Sequence, residues 1–115
     1  MLVVANWKAY VTELGKATKL VALGKRIART TETTLILAPS APFIGKFAPK
    51  NRSKVLFAAQ DVSATTGGAV TGESTAAAFA ATGVTHTLVG HSERRAAGDT
   101  TAVIVENFPT LLHRD

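Results

Sequence analysis

Apolar residues fall along this chain in two alternating rhythms. Short, largely apolar runs at residues 2–5, 34–38 and 55–59 have the length and continuity of strands covered on both faces, and residues 85–89, ending in Leu88-Val89, read as a fourth strand. After the first run, Leu14, Ala17, Leu20, Val21, Ile27 and Ala28 recur at three- and four-residue spacing. That spacing predicts a helix over residues 12–29 with one apolar stripe. Thr12 suits its N-cap and Glu13 its first turn, while Lys25, Arg26 and Arg29 suit the negative end of its dipole. A short helix over residues 42–47 follows the second run, with Pro42 in its first turn and Phe43, Ile44 and Phe47 for burial. An alanine-rich helix over residues 75–81, closed by Gly83, leads into the last run.

The order is strand then helix, repeated until the fourth strand. Such alternation predicts an α/β fold with a parallel sheet and right-handed crossovers, and four units of this kind make half of an eight-stranded barrel. Left open, a half of that kind has unpaired edges at its first and fourth strands, which favour association. Residues 60–74 form a long polar loop containing Gly67 and Gly68, of the sort that serves function or an interface. No Gly-Lys-Ser/Thr follows those glycines, so they do not make a phosphate-binding P-loop. After residue 95 the pattern weakens. Residues 100–106 suit the start of a further helix, although Val103, Ile104 and Val105 are poor helix formers, and Pro109 stops any helix through it. Residues 107–112 have no evident partner.

A length of 115 residues allows one domain with a core of its own. No apolar run approaches the ~18 residues of a membrane span, and the start reads as a strand rather than a signal peptide. With no cysteine there is neither a disulfide framework nor a thiolate metal site, and a cytoplasmic location is expected. Without a secretory signal, the sequon Asn51-Arg52-Ser53 is expected to be idle. The net charge of +5 raises the question of nucleic acid. Its sources are Lys16, Lys19, Lys25, Arg26 and Arg29 on one predicted helix, and Lys46, Lys50, Arg52 and Lys54 beyond it. No aromatic residues are interleaved for base stacking, and Phe43, Phe47 and Phe57 suit a core. Solvated helix faces account for the charge, with attraction of a phosphorylated metabolite as a further use.

The polar residues that end the strands carry the chemistry. The fourth run empties into Gly90-His91-Ser92-Glu93-Arg94-Arg95, and the first into Asn6-Trp7-Lys8. Parallel α/β sheets place ligands at those strand ends. Residues 85–95, together with Asn6-Trp7-Lys8 and Thr71-Gly72-Glu73, resemble the signatures of the triosephosphate isomerase family, in the family's order and spacing.

The resemblance implies the first four βα units of a TIM (β/α)₈ barrel, with the tail from about residue 96 divergent. It implies interconversion of dihydroxyacetone phosphate and glyceraldehyde 3-phosphate through an enediolate, without cofactor or metal. His91 would be the catalytic electrophile, its imidazole kept neutral at a helix N-terminus as is known for the family. Asn6 and Lys8 would bind substrate, and Glu93 would support Lys8. Thr71, Glu73 and Arg94 would lie at the interface of a homo-oligomer. Glu73 has a plainer role as well, in the first turn of the helix after Gly72. His86, within the strand, is expected to be a packing or surface residue. The family's proton-abstracting glutamate comes from a sixth strand, and its closing loop and glycine-rich phosphate grip come later still. Alone, the 115 residues are therefore expected to be inactive and to need a complementing barrel half. A self-associating, non-catalytic half-barrel or phosphate-binding module is the alternative.

Overall fold

The computed structural model describes residues 1–102 and 104. Four strands, β1 (Leu2–Asn6), β2 (Thr34–Ala38), β3 (Leu56–Ala59) and β4 (His86–Thr87), form one sheet in the order β1-β2-β3-β4. All three pairings are parallel. The crossovers carry α1 (Leu14–Thr30), α2 (Ala41–Phe47) and α3 (Ala76–Ala81), and α4 (Ser92–Ala96) follows β4. Every strand of a parallel sheet points the same way, so the loops after β1, β2, β3 and β4 open at one edge.

Side-chain alternation along the strands divides the apolar residues between two faces. Leu35, Leu37, Phe57 and Ala59 pack with Val21 and Ala28 of α1 and Ile44 of α2 in the larger core cluster. Ile36, Ala38 and Ala58 turn to the other face, where Leu56 and Leu88 pack on them. Among the described residues β1 pairs with β2 alone, and Leu2 and Val4 remain 63% and 45% exposed.

The helices depart from the expected pattern in informative ways. α1 begins two residues later than predicted, with Glu13 rather than Thr12 at the N-cap and no side-chain cap hydrogen bond. Glu13 is thus outside the first turn, which holds no acidic residue, and only Arg29 of the basic trio lies in the last turn. Its buried face is Ala17, Val21, Gly24 and Ala28, whereas Leu14 and Ile27 are exposed. A face of mostly small residues lets the helix lie close on β2, with Leu20 packed at its margin and Leu14 and Ile27 of the predicted stripe left outside. Thr75 caps α3, its hydroxyl accepting from the Ala78 N–H, and the helix closes at Gly83 with φ 92°. A β-carbon on Gly83 would stand 3.0 Å from the Ala48 carbonyl oxygen, so both backbone and space demand glycine there.

β4 is shorter than the strand predicted over residues 85–89. Its ladder covers His86 and Thr87, although Thr85 N donates to Phe57 O at 3.2 Å and Leu88 N to Ala59 O at 2.9 Å. The pairing therefore extends through residues 85–88 while the regular ladder does not. His86 is exposed, its Nδ1 2.7 Å from the Thr85 hydroxyl, which gives it the surface role expected. The sequon asparagine is fully engaged: Asn51 Oδ1 accepts from Ser53 and its amide donates to Val55 O. Beyond α4 the backbone is helical at residues 101, 102 and 104. The remainder of the predicted 100–106 helix, with Pro109 and residues 107–112, lies outside the described residues.

Close approach of α1 to the sheet is concentrated at Gly24, where a β-carbon would meet Leu37 Cδ1 at 3.1 Å and Leu35 Cδ2 at 3.3 Å. Gly24→Leu is expected to lower stability by about 1–3 kcal/mol through overpacking. Gly45→Ala, on α2 with open space around it, is expected to raise stability by about 0.5–1 kcal/mol. Urea midpoints of the two variants check both signs.

Candidate active site

Asn6 is the last residue of β1. Its Oδ1 accepts the Lys8 backbone N–H at 2.9 Å, and Lys8 turns into the left-handed region with φ 51°. It is the one non-glycine residue with positive φ among those described. Such a conformation is costly for a residue with a β-carbon and persists only where its surroundings fix it. Here the carbonyl is fixed too: Gln60 Nε2, at the end of β3, donates to Lys8 O and to Ala38 O, each at 2.9 Å. Trp7, buried, anchors the turn by donating its backbone N–H to the same Ala38 carbonyl.

From this turn the Lys8 ammonium reaches Glu93 Oε1 at 2.7 Å. The hydrogen bond, reinforced by the opposite charges, raises the Lys8 pKa above the ordinary lysine value and lowers that of Glu93 below the ordinary carboxylate value. Glu93 lies in the first turn of α4, whose N-cap is His91. The Glu93 backbone N–H donates to His91 Nδ1 at 3.1 Å, while its Oε2 stands 3.8 Å from that nitrogen, beyond hydrogen-bonding range. A ring nitrogen that accepts an N–H carries no proton itself, so this arrangement puts the imidazole proton on Nε2. His91 is half-buried, and Lys8 and Glu93 are more open to solvent.

The structure thus brings Asn6, Lys8, His91 and Glu93 into one cluster although more than 80 residues separate its two ends in sequence. Arg94 forms a second centre. Its guanidinium meets Asp99 through two hydrogen bonds of 3.0 and 3.1 Å and Asp61 at 3.0 Å. The Asp99 hydrogen bonds raise the Arg94 pKa, and partial burial raises that of Asp61 more than Arg94 lowers it. Thr71 and Glu73 lie apart from the cluster, on the exposed part of the 60–74 loop. Glu73 precedes α3, which begins at Ala76 and has no acidic residue in its first turn, so the helix-start role does not hold. A cavity of about 240 Å³ opens between that loop and α2, lined in part by Gln60, Asp61, Ser63 and Glu73. Gln60 and Asp61 were not singled out by the sequence. Their signal is positional: they are the first polar pair after β3, at the same sheet edge as the other motifs.

A family model described as triosephosphate isomerase matches residues 1–115. The chain belongs to the triosephosphate isomerase family. Curated triosephosphate isomerases are among its relatives, from Idiomarina loihiensis at 38% identity over 95 residues, Cupriavidus taiwanensis at 41% over 97 and Ralstonia nicotianae at 39% over 117. These alignments cover 82%, 82% and 97% of this chain but only 38%, 38% and 46% of the relatives. The fold likeness agrees. The crystal structure of triosephosphate isomerase from Bartonella henselae superposes with a TM-score of 0.83 at 20% identity, over 96% of this chain and 46% of that one. The four strands and their helices are therefore a TIM-barrel arrangement spanning less than half the length of these relatives.

The Lys8–Glu93 contact has a defined pH window. Glu93, depressed, keeps the pair charged until the pH falls through its folded midpoint, and Lys8, elevated, keeps it until the pH rises through its own. Glu93→Gln is expected to bring the Lys8 midpoint back down towards an ordinary lysine, as read by NMR of the labelled lysine side chains. An unchanged midpoint would mean that the contact is not populated in solution.

Proposed function

We propose that this chain supplies the substrate-binding and electrophilic part of a triosephosphate isomerase site, for interconversion of dihydroxyacetone phosphate and glyceraldehyde 3-phosphate. One observation carries it: Glu93 holds the Lys8 ammonium with its side chain and orients His91 with its backbone N–H. The chemistry needs those two groups together. As a proton leaves the carbon beside the substrate carbonyl, charge develops on oxygen. His91, with its proton on Nε2, donates to that oxygen and can pass the proton between the two neighbouring oxygens of the enediolate. Lys8 sets a compact positive charge against the substrate's anionic oxygens, and Asn6 fixes the turn that presents it. Glu93 is committed to Lys8, so the carbon-acid base is assigned to a further segment, in keeping with the partial coverage of the relatives. In the same proposal Thr71, Glu73 and Arg94 face a partner subunit of a cytoplasmic homo-oligomer, with Arg94 braced by Asp61 and Asp99.

A second reading, a non-catalytic module that associates through its open edge and retains phosphate affinity, is favoured by the exposed apolar residues of β1. The test combines this chain with a polypeptide carrying the remaining βα units of a curated relative. Isomerase turnover is expected from the mixture and not from the chain alone, and His91→Gln should lower it by roughly two to four decades. Phosphate-dependent thermal stabilisation of a folded mixture without turnover would support the second reading instead.

A further inference from the structure

The lysine that meets substrate in the proposed function sits on a backbone its own side chain cannot hold. Its four-carbon stem is flexible, so where the ammonium goes depends on where the Cα–Cβ bond points. That direction is set by φ 51° at Lys8, and the two peptide groups flanking the residue are each tied by a side chain. Asn6 Oδ1 takes the N–H and Gln60 Nε2 donates to the C=O. A primary amide has two N–H donors, and the second goes to Ala38 O at the end of β2. Gln60 follows β3 directly, so its side chain links the C-terminal ends of three strands, β1, β2 and β3, through two hydrogen bonds. Asn6 is adjacent in sequence and moves with Lys8. Gln60 comes from a different strand and references the turn to the sheet.

We propose that Gln60 is a positioning residue for Lys8: by donating to the Lys8 and Ala38 carbonyls it holds the left-handed turn from which the ammonium reaches Glu93 and the substrate's anionic oxygens. The substrate part rests on the function proposed above; the positioning part does not. Without the amide, the turn loses its tie to β3 and Lys8 relaxes towards ordinary φ, which swings the ammonium away from Glu93. A purely structural role would lower stability and leave the Lys8–Glu93 contact in place.

The test follows the Glu93 carboxyl carbon by NMR through a pH titration of the 115-residue chain, in the wild type, Gln60→Leu and Lys8→Met. The leucine has similar bulk and no donor, and Lys8→Met shows how Glu93 titrates with no ammonium beside it. Gln60→Leu is expected to move the Glu93 midpoint upward, most of the way to the Lys8→Met position. A folded Gln60→Leu protein in which Glu93 titrates as in the wild type overturns the proposal. If the variant does not fold, exchange of the wild-type Gln60 side-chain amide hydrogens decides: slowed exchange relative to the same amide in the unfolded chain supports the tie, and equal exchange overturns it. A moved Glu93 midpoint, alongside a complemented enzyme whose turnover is insensitive to Lys8→Met, would retain the positioning role and reject Lys8 as a substrate contact.

Discussion

The parallel direction of the four strands is the constraint on which everything else depends. Because the chain crosses back over the sheet through a helix each time, the residues that follow each strand arrive at one edge. Asn6 and Lys8 at the end of β1, Gln60 and Asp61 after β3, and His91 and Glu93 after β4 are distant in sequence and adjacent in space for that reason. The apolar interior fixes the strands, and the strands fix the site. Leu35, Leu37 and Phe57 on one face and Ile36, Ala38 and Ala58 on the other hold β2 and β3 in place. The ends of those two strands supply Ala38 O and Gln60, which brace the Lys8 turn.

Within the site, geometry outweighs energy. The Lys8–Glu93 pair is largely exposed, and exposed ion pairs add little to stability. Its consequence is orientation: the ammonium has a defined address, and the peptide that carries Glu93 presents an N–H to His91. The left-handed turn at Lys8 fits the same account. A lone residue in an unfavourable backbone region is satisfied here on both sides by neighbouring side chains, which fixes the direction in which the Lys8 side chain leaves the backbone.

Much of this was legible in sequence because the signals were local. Short, largely apolar runs gave the strands, Pro42 marked the first turn of α2, the alanine-rich stretch gave α3, and the motif residues Asn6, Lys8, His91 and Glu93 clustered at strand ends. What was not legible depended on tertiary contact. Periodicity places Leu14 and Ile27 on the apolar stripe of α1, but the sheet approaches that helix at Ala17, Val21, Gly24 and Ala28, and the larger side chains stay outside. The 85–89 run continues past the two-residue ladder of β4, because a parallel ladder ends where the shorter neighbouring strand does, at Ala59. The tie from Gln60 to Lys8 spans 52 residues and joins a side chain to a carbonyl, an interaction that no spacing rule encodes.

The proposed function makes this edge a site for a phosphorylated triose, and phosphate itself is the most direct probe of that proposal. Inorganic phosphate would be titrated into the isotope-labelled chain and every backbone amide followed by NMR. Saturable shifts centred on Asn6, Lys8 and residues 91–93 are the predicted result. Shifts confined to the lysine-rich face of α1, around Lys16, Lys19 and Lys25, or no saturable shifts at all, would contradict it.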